Sequence, residues 1–238
     1  RRVLFRSART TMPAARNPIV NLYLAAYNGA QTYGWATILY AMVNHYMNEG
    51  SPETLYPLVA KPLQLWQTMA ILEVVHAMLG FVRSPVGTTA MQVASRLFVA
   101  WMTLHLCQSA QSSIFLSSLL FAWSVTEVIR YAFYLLNIYD LVPMPLGWLR
   151  YSTFLILYPL GVMSELALTI TALPCLTASG IMEMSLPNEW NYAFNLGGFA
   201  FVMMFAYIPG FPMLFGLMLT QRKKYMASLR GDSKKKTK

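Results

Sequence analysis

Long apolar stretches separated by short polar ones make up most of this chain. Six of them are long enough, or nearly long enough, to cross a membrane: residues 19–47, 63–82, 93–108, 114–137, 149–173 and 194–220. Because a membrane-spanning helix needs about 20 apolar residues, the third stretch is short and its limits are the least sharply marked. The pattern predicts an all-α, polytopic membrane protein whose six transmembrane helices form one bundle.

Composition agrees with lipid as the main solvent of this chain. Hydrophobic residues make up 56% of it and charged residues 11%, whereas soluble domains contain about 25% charged residues. The net charge of +9 would suggest nucleic acid as the partner of a soluble protein. Here the basic residues cluster at the termini and at the ends of apolar stretches, a distribution that orients membrane proteins. We therefore expect membrane lipid around the bundle and no nucleic acid partner.

The charge distribution also predicts the orientation of the bundle. With six spans, every basic cluster falls on one side: residues 1–16, Arg83 with Arg96, Arg130 with Arg150, and residues 222–238. The other side carries mainly acidic residues, namely Glu49, Glu53, Glu183 and Glu189. Since cytosolic loops are enriched in Lys and Arg, both termini are predicted to be cytosolic.

One membrane domain, residues 19–220, is predicted between two basic cytosolic segments. In the first segment, residues 1–18, Met12 is a candidate start of translation. The second segment, residues 221–238, ends in Lys235-Lys236-Thr237-Lys238, which resembles the dilysine retrieval signal of endoplasmic-reticulum membrane proteins.

Within the sixth stretch, Pro209-Gly210-Phe211-Pro212 is expected to kink or break the helix, because proline removes a backbone donor.

Two ionisable residues stand out in the fifth apolar stretch, Tyr158 and Glu165. Seven residues are two helical turns, so both side chains lie on one face, roughly 10 Å apart along the axis. A carboxyl at bilayer depth costs at least about 2.5–3.5 kcal/mol to insert, which favours a partner or a task for it. A phenol and a carboxyl facing one cavity can exchange protons with a bound substrate. The alternative is that Glu165 hydrogen-bonds a neighbouring helix and only supports packing.

A second polar group comprises Glu73 and His76 in the second stretch and Glu127 and Arg130 in the fourth. Glu-x-x-His is half of the motif that holds a di-iron centre, but the other copy has Arg130 where a histidine is needed. We therefore expect no metal. Glu73 and His76 are expected to pair with polar groups of neighbouring spans. Glu127 and Arg130 lie three residues apart on one helix face and are expected to form an ion pair.

The cysteines and a phosphatase-like segment carry no chemistry of their own. Residues 76–84 match the phosphate-binding loop of tyrosine phosphatases, except that Ala77 replaces the cysteine nucleophile. Phosphatase activity is therefore excluded. Cys107 and Cys175 lie far apart, with no metal or redox spacing, and both are expected to be buried and unpaired.

Several blocks of the chain together resemble the very-long-chain 3-hydroxyacyl-CoA dehydratases, once called protein-tyrosine-phosphatase-like proteins because of that defective loop. The blocks occur in the family's order: residues 27–35, 72–76, 92–96, 123–131, 150–151, 157–161, 165–166 and 207–212. The resemblance extends over residues 19–225. It implies that Tyr158 and Glu165 are the catalytic pair.

The reaction that the resemblance implies is the third step of fatty-acid elongation in the endoplasmic-reticulum membrane. Water is removed from (3R)-3-hydroxyacyl-CoA to give trans-2-enoyl-CoA, without a metal or redox cofactor. The implied protein partners are the ketoacyl-CoA synthase, ketoacyl-CoA reductase and enoyl-CoA reductase of the same cycle. The elimination needs a base for the C2 proton, an acid for the C3 hydroxyl and stabilisation of the thioester oxygen. Whether Tyr158 or Glu165 takes the C2 proton stays open at this point.

Four arginines lie toward the predicted cytosolic side and are candidates for binding CoA. We expect some of them to hold its anionic nucleotide part, although each could serve only to orient the protein. Tyr158 lies roughly 13 Å below the cytosolic end of its predicted helix, a depth that the pantetheine arm can reach, with the acyl chain continuing toward the lumenal half. The candidate substrate-binding residues are Arg83, Arg96, Arg130, Arg150, Tyr151 and Gly161.

Two other functions compete with catalysis. A non-catalytic scaffold of the same family, which would bind elongase partners, should have lost the tyrosine or the glutamate, but both are present. A small transporter should show inverted repeats with paired broken helices, and the sequence contains no such pairing.

Overall fold

The computed structural model of this chain describes residues 17–181, 183–184 and 194–236. Helices make up nearly all of this part, and the described residues form no strand beyond one antiparallel bridge between Met184 and Phe194. The all-α prediction is therefore confirmed. Residues 1–16, with the candidate start Met12, lie outside the described residues, as do Glu189 and the last two residues of the dilysine-like motif.

In the described part of the chain, nine α-helices, one 3₁₀ turn and one π-helical segment follow one another. The α-helices are α1 (Pro18–Met47), α2 (Tyr56–Met69), α3 (Ile71–Met78), α4 (Val86–Phe98), α5 (Gln108–Gln111), α6 (Ile114–Ile138), α7 (Met144–Ser152), α8 (Phe154–Ala178) and α9 (Leu196–Lys236). A 3₁₀ turn, Pro52–Thr54, precedes α2, and a π-helical segment, Val99–Leu104, continues α4.

The predicted apolar stretches correspond to these helices with different accuracy. The first and fourth are single uninterrupted helices, α1 and α6. The second is divided between α2 and α3 at Ala70, and the fifth between α7 and α8 at Thr153. Both residues keep helical backbone angles. Hydropathy does not reveal such interruptions, because the side chains on either side of them are equally apolar.

The sequence predicted a kink or a break at the prolines of the sixth stretch, but the helix is not broken there. α9 runs without interruption through Pro209 and Pro212, and it continues beyond residue 220 into the predicted tail. Proline removes one backbone hydrogen bond, but neighbouring helices and small local adjustments can satisfy the freed carbonyl in a membrane-spanning helix.

Three helices are long and apolar enough to cross a membrane by length and composition: α6, α8 and the Leu196–Leu229 part of α9. The described residues thus form an all-α protein with three candidate membrane spans. α8 lies between the other two, since it packs against α6 on one side and α9 on the other.

Neighbouring long helices run antiparallel around a common apolar core. Tyr46 at the end of α1 hydrogen-bonds Ser117 at the start of α6, whereas Tyr27 early in α1 meets Tyr131 late in α6. The same reversal relates α8 to both α6 and α9. The core between these helices is almost fully buried, and its members include Trp35, Tyr131, Ile38, Leu119, Leu120, Leu168 and Leu176.

The two cysteines form a disulfide, so the prediction that they are unpaired was wrong. Cys107 follows the π-helical segment, where the chain leaves helical geometry and turns toward the end of α8. This turn brings its Cα to 5.8 Å from that of Cys175, within the range of roughly 4.4–6.8 Å that a disulfide requires. Spacing along the chain could not show this proximity, because it depends on how the π-helical segment packs against α8.

Candidate active site

Tyr158 and Glu165 both lie on α8, which packs against α6 and α9. Glu165 is buried, with 7% of its surface exposed. Tyr158 lies two turns nearer the start of the helix and is half-buried. Between them, Gly161 faces α6. A Cβ added there would lie 3.8 Å from the Ala122 Cβ and 3.9 Å from Trp123 Cδ1, which is ordinary van der Waals contact.

Both carboxyl oxygens of Glu165 accept hydrogen bonds from neighbouring helices. Trp123 Nε1 on α6 donates to Oε1 at 2.9 Å, and the Tyr207 hydroxyl on α9 donates to Oε2. Hydrogen bonds to an ionised group are worth about 1.5–3 kcal/mol each, so the two donors hold the carboxylate in one orientation. The packing role considered for Glu165 therefore exists, and the same contacts would orient a catalytic carboxylate.

Tyr158 has a different environment, made of aromatic rings. Its ring stacks on Phe211 at 5.1 Å with an interplanar angle of 9°, and Phe215 lies beyond at 6.2 Å. Among the described residues, none hydrogen-bonds the Tyr158 hydroxyl. The ring is thus positioned by stacking, while its proton and lone pairs remain available to a ligand.

Trp123, which donates to Glu165, is itself held by a cation. The guanidinium carbon of Arg96 lies 4.4 Å from the Trp123 ring centroid and 5.6 Å from that of Trp35. Such cation–π contacts contribute up to about 2 kcal/mol when they are shielded from water. Arg96 also forms an ion pair with Glu127, one turn beyond Trp123 on α6.

Glu127 belongs to a cluster of charges, the arginine–glutamate cluster, which consists of Arg96, Glu127, Arg130 and Glu73. Arg130 binds Glu73 through both terminal nitrogens, at 3.0 and 2.7 Å, and donates from Nε to Glu127 at 2.8 Å. The Tyr131 hydroxyl also donates to Glu73. The expected Glu127–Arg130 ion pair is confirmed, as is the pairing of Glu73 with a neighbouring helix. Two positive and two negative charges balance inside the cluster.

His76, the remaining member of the Glu-x-x-His pattern, lies apart from these ion pairs. Its Nε2 is 2.8 Å from the Tyr23 hydroxyl on α1, which confirms its expected pairing with a polar group of a neighbouring helix. Among the described residues, no group of three or more His, Cys, Asp and Glu side chains could hold a metal ion.

The four candidate arginines divide into two pairs. Arg96 and Arg130 are engaged by carboxylates within the arginine–glutamate cluster. Arg83 is exposed, and Arg150 is half-buried near the start of α8, donating to the Tyr134 hydroxyl at 3.3 Å. These two have no carboxylate partner among the described residues.

Tyr151, the neighbour of Arg150, lies at the same end of the bundle. Its ring stacks on Tyr225 of α9, with centroids 4.4 Å apart. Arg222 of α9 also reaches this end, where its Nε lies 3.5 Å from the Ser152 hydroxyl. Aromatic and basic side chains therefore lie together at this end of α8.

Sequence reasoning missed Trp123 and Tyr207 as parts of the site. Each is a polar-tipped aromatic residue in an apolar helix, a common feature that does not by itself indicate a site. Their importance depends on which carboxylate they contact, and this follows only from the antiparallel packing of α6, α8 and α9.

The family model described as "Protein tyrosine phosphatase-like protein, PTPLA" matches residues 67–228, a segment that contains Tyr158 and Glu165. No solved structure shows a significant match.

Curated relatives match nearly the whole chain. The very-long-chain (3R)-3-hydroxyacyl-CoA dehydratase hpo-8 of Caenorhabditis elegans is 45% identical over 91% of this chain and 99% of its own length. The rice dehydratase PASTICCINO 2A is 42% identical, with 91% and 98% covered. Human very-long-chain (3R)-3-hydroxyacyl-CoA dehydratase 2 is 39% identical, with 88% and 83% covered. This chain therefore belongs to the protein tyrosine phosphatase-like (PTPLA) family, that of the very-long-chain (3R)-3-hydroxyacyl-CoA dehydratases.

Proposed function

We propose that this protein removes water from (3R)-3-hydroxyacyl-CoA to give trans-2-enoyl-CoA, using Tyr158 and Glu165 as its acid–base pair. The names of its relatives support the substrate class and the reaction. The observation that carries the assignment to this site is the buried carboxylate of Glu165. It is oriented by Trp123 and Tyr207 and lies two turns from a phenol whose hydroxyl is available.

The contacts favour Glu165 as the base and Tyr158 as the acid. Glu165 accepts two hydrogen bonds, which stabilise its ionised form and leave lone pairs for the C2 proton. The Tyr158 hydroxyl can donate its proton to the C3 hydroxyl as the C3–O bond breaks, so that water leaves and a C2–C3 double bond forms. Glu165 ends protonated and Tyr158 ionised, and transfer of that proton to Tyr158 restores both groups.

The proposed basic entrance for CoA is this end of α8, where Arg150 and the exposed Arg83 are the proposed contacts for the CoA nucleotide and Tyr151 lies beside Arg150. Their charges are not neutralised by a described carboxylate, unlike those of Arg96 and Arg130. Reversing the charge in Arg150→Glu should raise KM for the CoA ester more than it lowers kcat. A fall in kcat at unchanged KM would instead assign Arg150 to the chemistry or the fold.

The full topology is proposed as six spans with both termini cytosolic, in the endoplasmic-reticulum membrane. α1, α2 with α3, and α4 with its π-helical continuation would supply the three spans before α6. The Cys107–Cys175 disulfide supports this orientation, because disulfides persist in oxidising compartments such as the lumen. Arg150 and Arg222 lie at the other end of α8, where cytosolic basic residues belong. The other elongation enzymes, ketoacyl-CoA synthase, ketoacyl-CoA reductase and enoyl-CoA reductase, are the proposed partners.

The deciding experiment is an assay of enoyl-CoA formation by the purified full-length protein and four variants. Tyr158→Phe and Glu165→Gln should each lower kcat/KM by roughly 10²–10⁴-fold, the range of general acid–base contributions. The matched controls are Tyr33→Phe and Glu53→Gln, which change exposed side chains remote from the site. Unchanged turnover in both site variants would refute the pair. A wild-type protein that binds elongase partners but forms no product would favour the scaffold alternative.

The division of roles has its own readout, exchange of the C2 proton with deuterated solvent. Glu165→Gln should abolish the exchange, because no base remains to take the proton. Tyr158→Phe should retain exchange while losing water elimination. The reverse pattern would exchange the two roles.

A further inference from the structure

An apolar cavity of about 370 Å³, partly open at the surface of the bundle, lies between α3, α4 with its π-helical continuation, and the start of α9. Its lining includes Ile71, Leu97, Phe98, Trp101, Met102 and Phe199. Two separate helices, α9 and α4, connect the cavity to the contacts of Glu165.

Along α9, the cavity lies on the side of Glu165 that is opposite to Tyr158. Tyr207 contacts Glu165, and Phe211, one turn later, stacks on Tyr158. Phe199 lies two turns earlier than Tyr207, about 12 Å in the other direction. Going toward the start of α9, the helix therefore contacts first Tyr158, then Glu165, and finally the cavity.

α4 leads to the same place from the other side of the bundle. Arg96 packs on Trp123, the residue that donates to Glu165. The next two residues, Leu97 and Phe98, line the cavity. Two elements thus place the cavity directly beyond Glu165, on the side away from the basic entrance at Arg150.

The chemistry of the lining selects an apolar occupant. Its polar members are Thr68 and the Trp101 indole, and these bind one another, with Trp101 Nε1 donating to Thr68 Oγ1 at 2.9 Å. The Thr68 hydroxyl in turn donates to the Gln64 carbonyl at 2.6 Å. Both polar groups already have hydrogen-bond partners, so a hydrocarbon can fill the cavity without leaving a buried polar atom unsatisfied.

We propose that this cavity binds the distal part of the substrate's acyl chain. This inference rests on the proposed reaction at Tyr158 and Glu165, because the thioester must lie there for the chain to extend past Phe199. CoA at the basic entrance, the reacting carbons at the pair and the chain in the cavity then form one continuous path. The size of the cavity then determines which acyl chain lengths the protein accepts.

The first test compares two identical substitutions on exposed isoleucines, Ile71→Trp in the cavity and Ile170→Trp on the outer face of α8. Each variant is assayed with a series of saturated 3-hydroxyacyl-CoA esters of increasing length. Ile71→Trp should leave short esters unaffected and lower kcat/KM for long ones by about fourfold for each methylene excluded. Ile170→Trp should keep the wild-type chain-length profile. Parallel profiles for the two variants would overturn the proposal.

The second test uses the unmodified sequence, so it does not depend on whether a variant folds. A 3-hydroxyacyl-CoA with a photoreactive diazirine at the end of its long chain should label cavity residues such as Leu97 and Met102. Excess unlabelled ester should prevent this labelling. Labelling elsewhere, or cavity labelling that persists under competition, would overturn the proposal. Absence of cavity labelling, as when a phospholipid chain fills the cavity, would also overturn it. Failure of the catalytic pair is distinguishable, because Tyr158→Phe and Glu165→Gln act at every chain length.

Discussion

Two polar regions lie inside this bundle only one side chain apart, and they differ in how their charges are satisfied. In the arginine–glutamate cluster, each carboxylate is paired with at least one arginine. Glu165 forms no salt bridge with any described residue, and its hydrogen bonds come from the neutral donors Trp123 and Tyr207. Arg96 connects the regions, since it pairs with Glu127 and packs on Trp123.

This difference separates a structural role from a chemical one. A carboxylate that neutralises two arginines must stay ionised, since protonation would leave their charges uncompensated in a poorly solvated interior. A carboxylate held by neutral donors can accept a proton and return it without breaking an ion pair. Glu127 is therefore suited to hold helices together, and Glu165 to take part in a reaction.

Replacing Glu165 or Glu127 with glutamine tests this difference in role most directly. Glu165→Gln should have the largest effect on activity. Turnover should fall by roughly 10²–10⁴-fold, while the apparent melting temperature in detergent should stay close to that of the wild type. The glutamine oxygen can still accept from Trp123 Nε1, and its amide nitrogen can donate to the Tyr207 hydroxyl. A variant that melts far below the wild type would place Glu165 among the structural carboxylates instead.

Glu127→Gln should instead lower the stability of the protein more than its activity. It leaves Arg96 and Arg130 partly unpaired in a buried environment, where breaking an ion pair costs about 3–5 kcal/mol. The melting temperature should fall substantially, and the activity that remains in the folded fraction should keep the wild-type KM. Glu53→Gln, which changes an exposed carboxylate, serves as the matched control. Equal melting temperatures for the two variants would contradict a structural role for the cluster.

Tyr207→Phe is expected to have an intermediate effect, on kcat rather than on KM. It removes one of the two donors that orient Glu165, a bond worth about 1.5–3 kcal/mol, so kcat should fall by roughly 10- to 100-fold. The matched control is Tyr33→Phe on the outer surface of α1. If Tyr207→Phe raises KM without lowering kcat, the Tyr207 hydroxyl binds substrate and does not orient the carboxylate.

Gly161→Ala should have the smallest effect. A Cβ there meets Ala122 and Trp123 at ordinary contact distance, and alanine favours a helix interior over glycine by up to about 1 kcal/mol. Melting temperature should stay equal or rise slightly, with kcat/KM near wild type. A selective rise in KM at unchanged stability would show that substrate lies against Gly161.

The comparison also shows why some features could be predicted from sequence and others could not. Tyr158 and Glu165 stood out because they are ionisable groups in an apolar stretch, and the Glu127–Arg130 pair followed from helical periodicity. Both inferences use spacing within a single helix, which backbone geometry determines. Trp123, Tyr207 and the Arg96–Glu127 pair involve contacts between helices, for which a single sequence contains no comparable rule.

The arrangement of the cysteines illustrates the same limit. Cys107 and Cys175 are separated by 68 residues, and nothing between them indicates that the chain after the π-helical segment turns back to α8. The prediction of unpaired thiols weighed composition and spacing, whereas pairing depends on a Cα separation that exists only after the helices pack.

Sequence alone thus determined that the protein is helical and apolar enough for a membrane, which residues on α8 carry ionisable groups, and to which family the motifs point. These properties are local, because hydropathy and helical periodicity act over a few turns. The partners of Glu165, the closed arginine–glutamate cluster, the disulfide and the apolar cavity beyond the carboxylate emerged only in the folded bundle. Each depends on the antiparallel packing of helices distant in sequence, and packing of that kind is set by the whole surface of each helix rather than by any one motif.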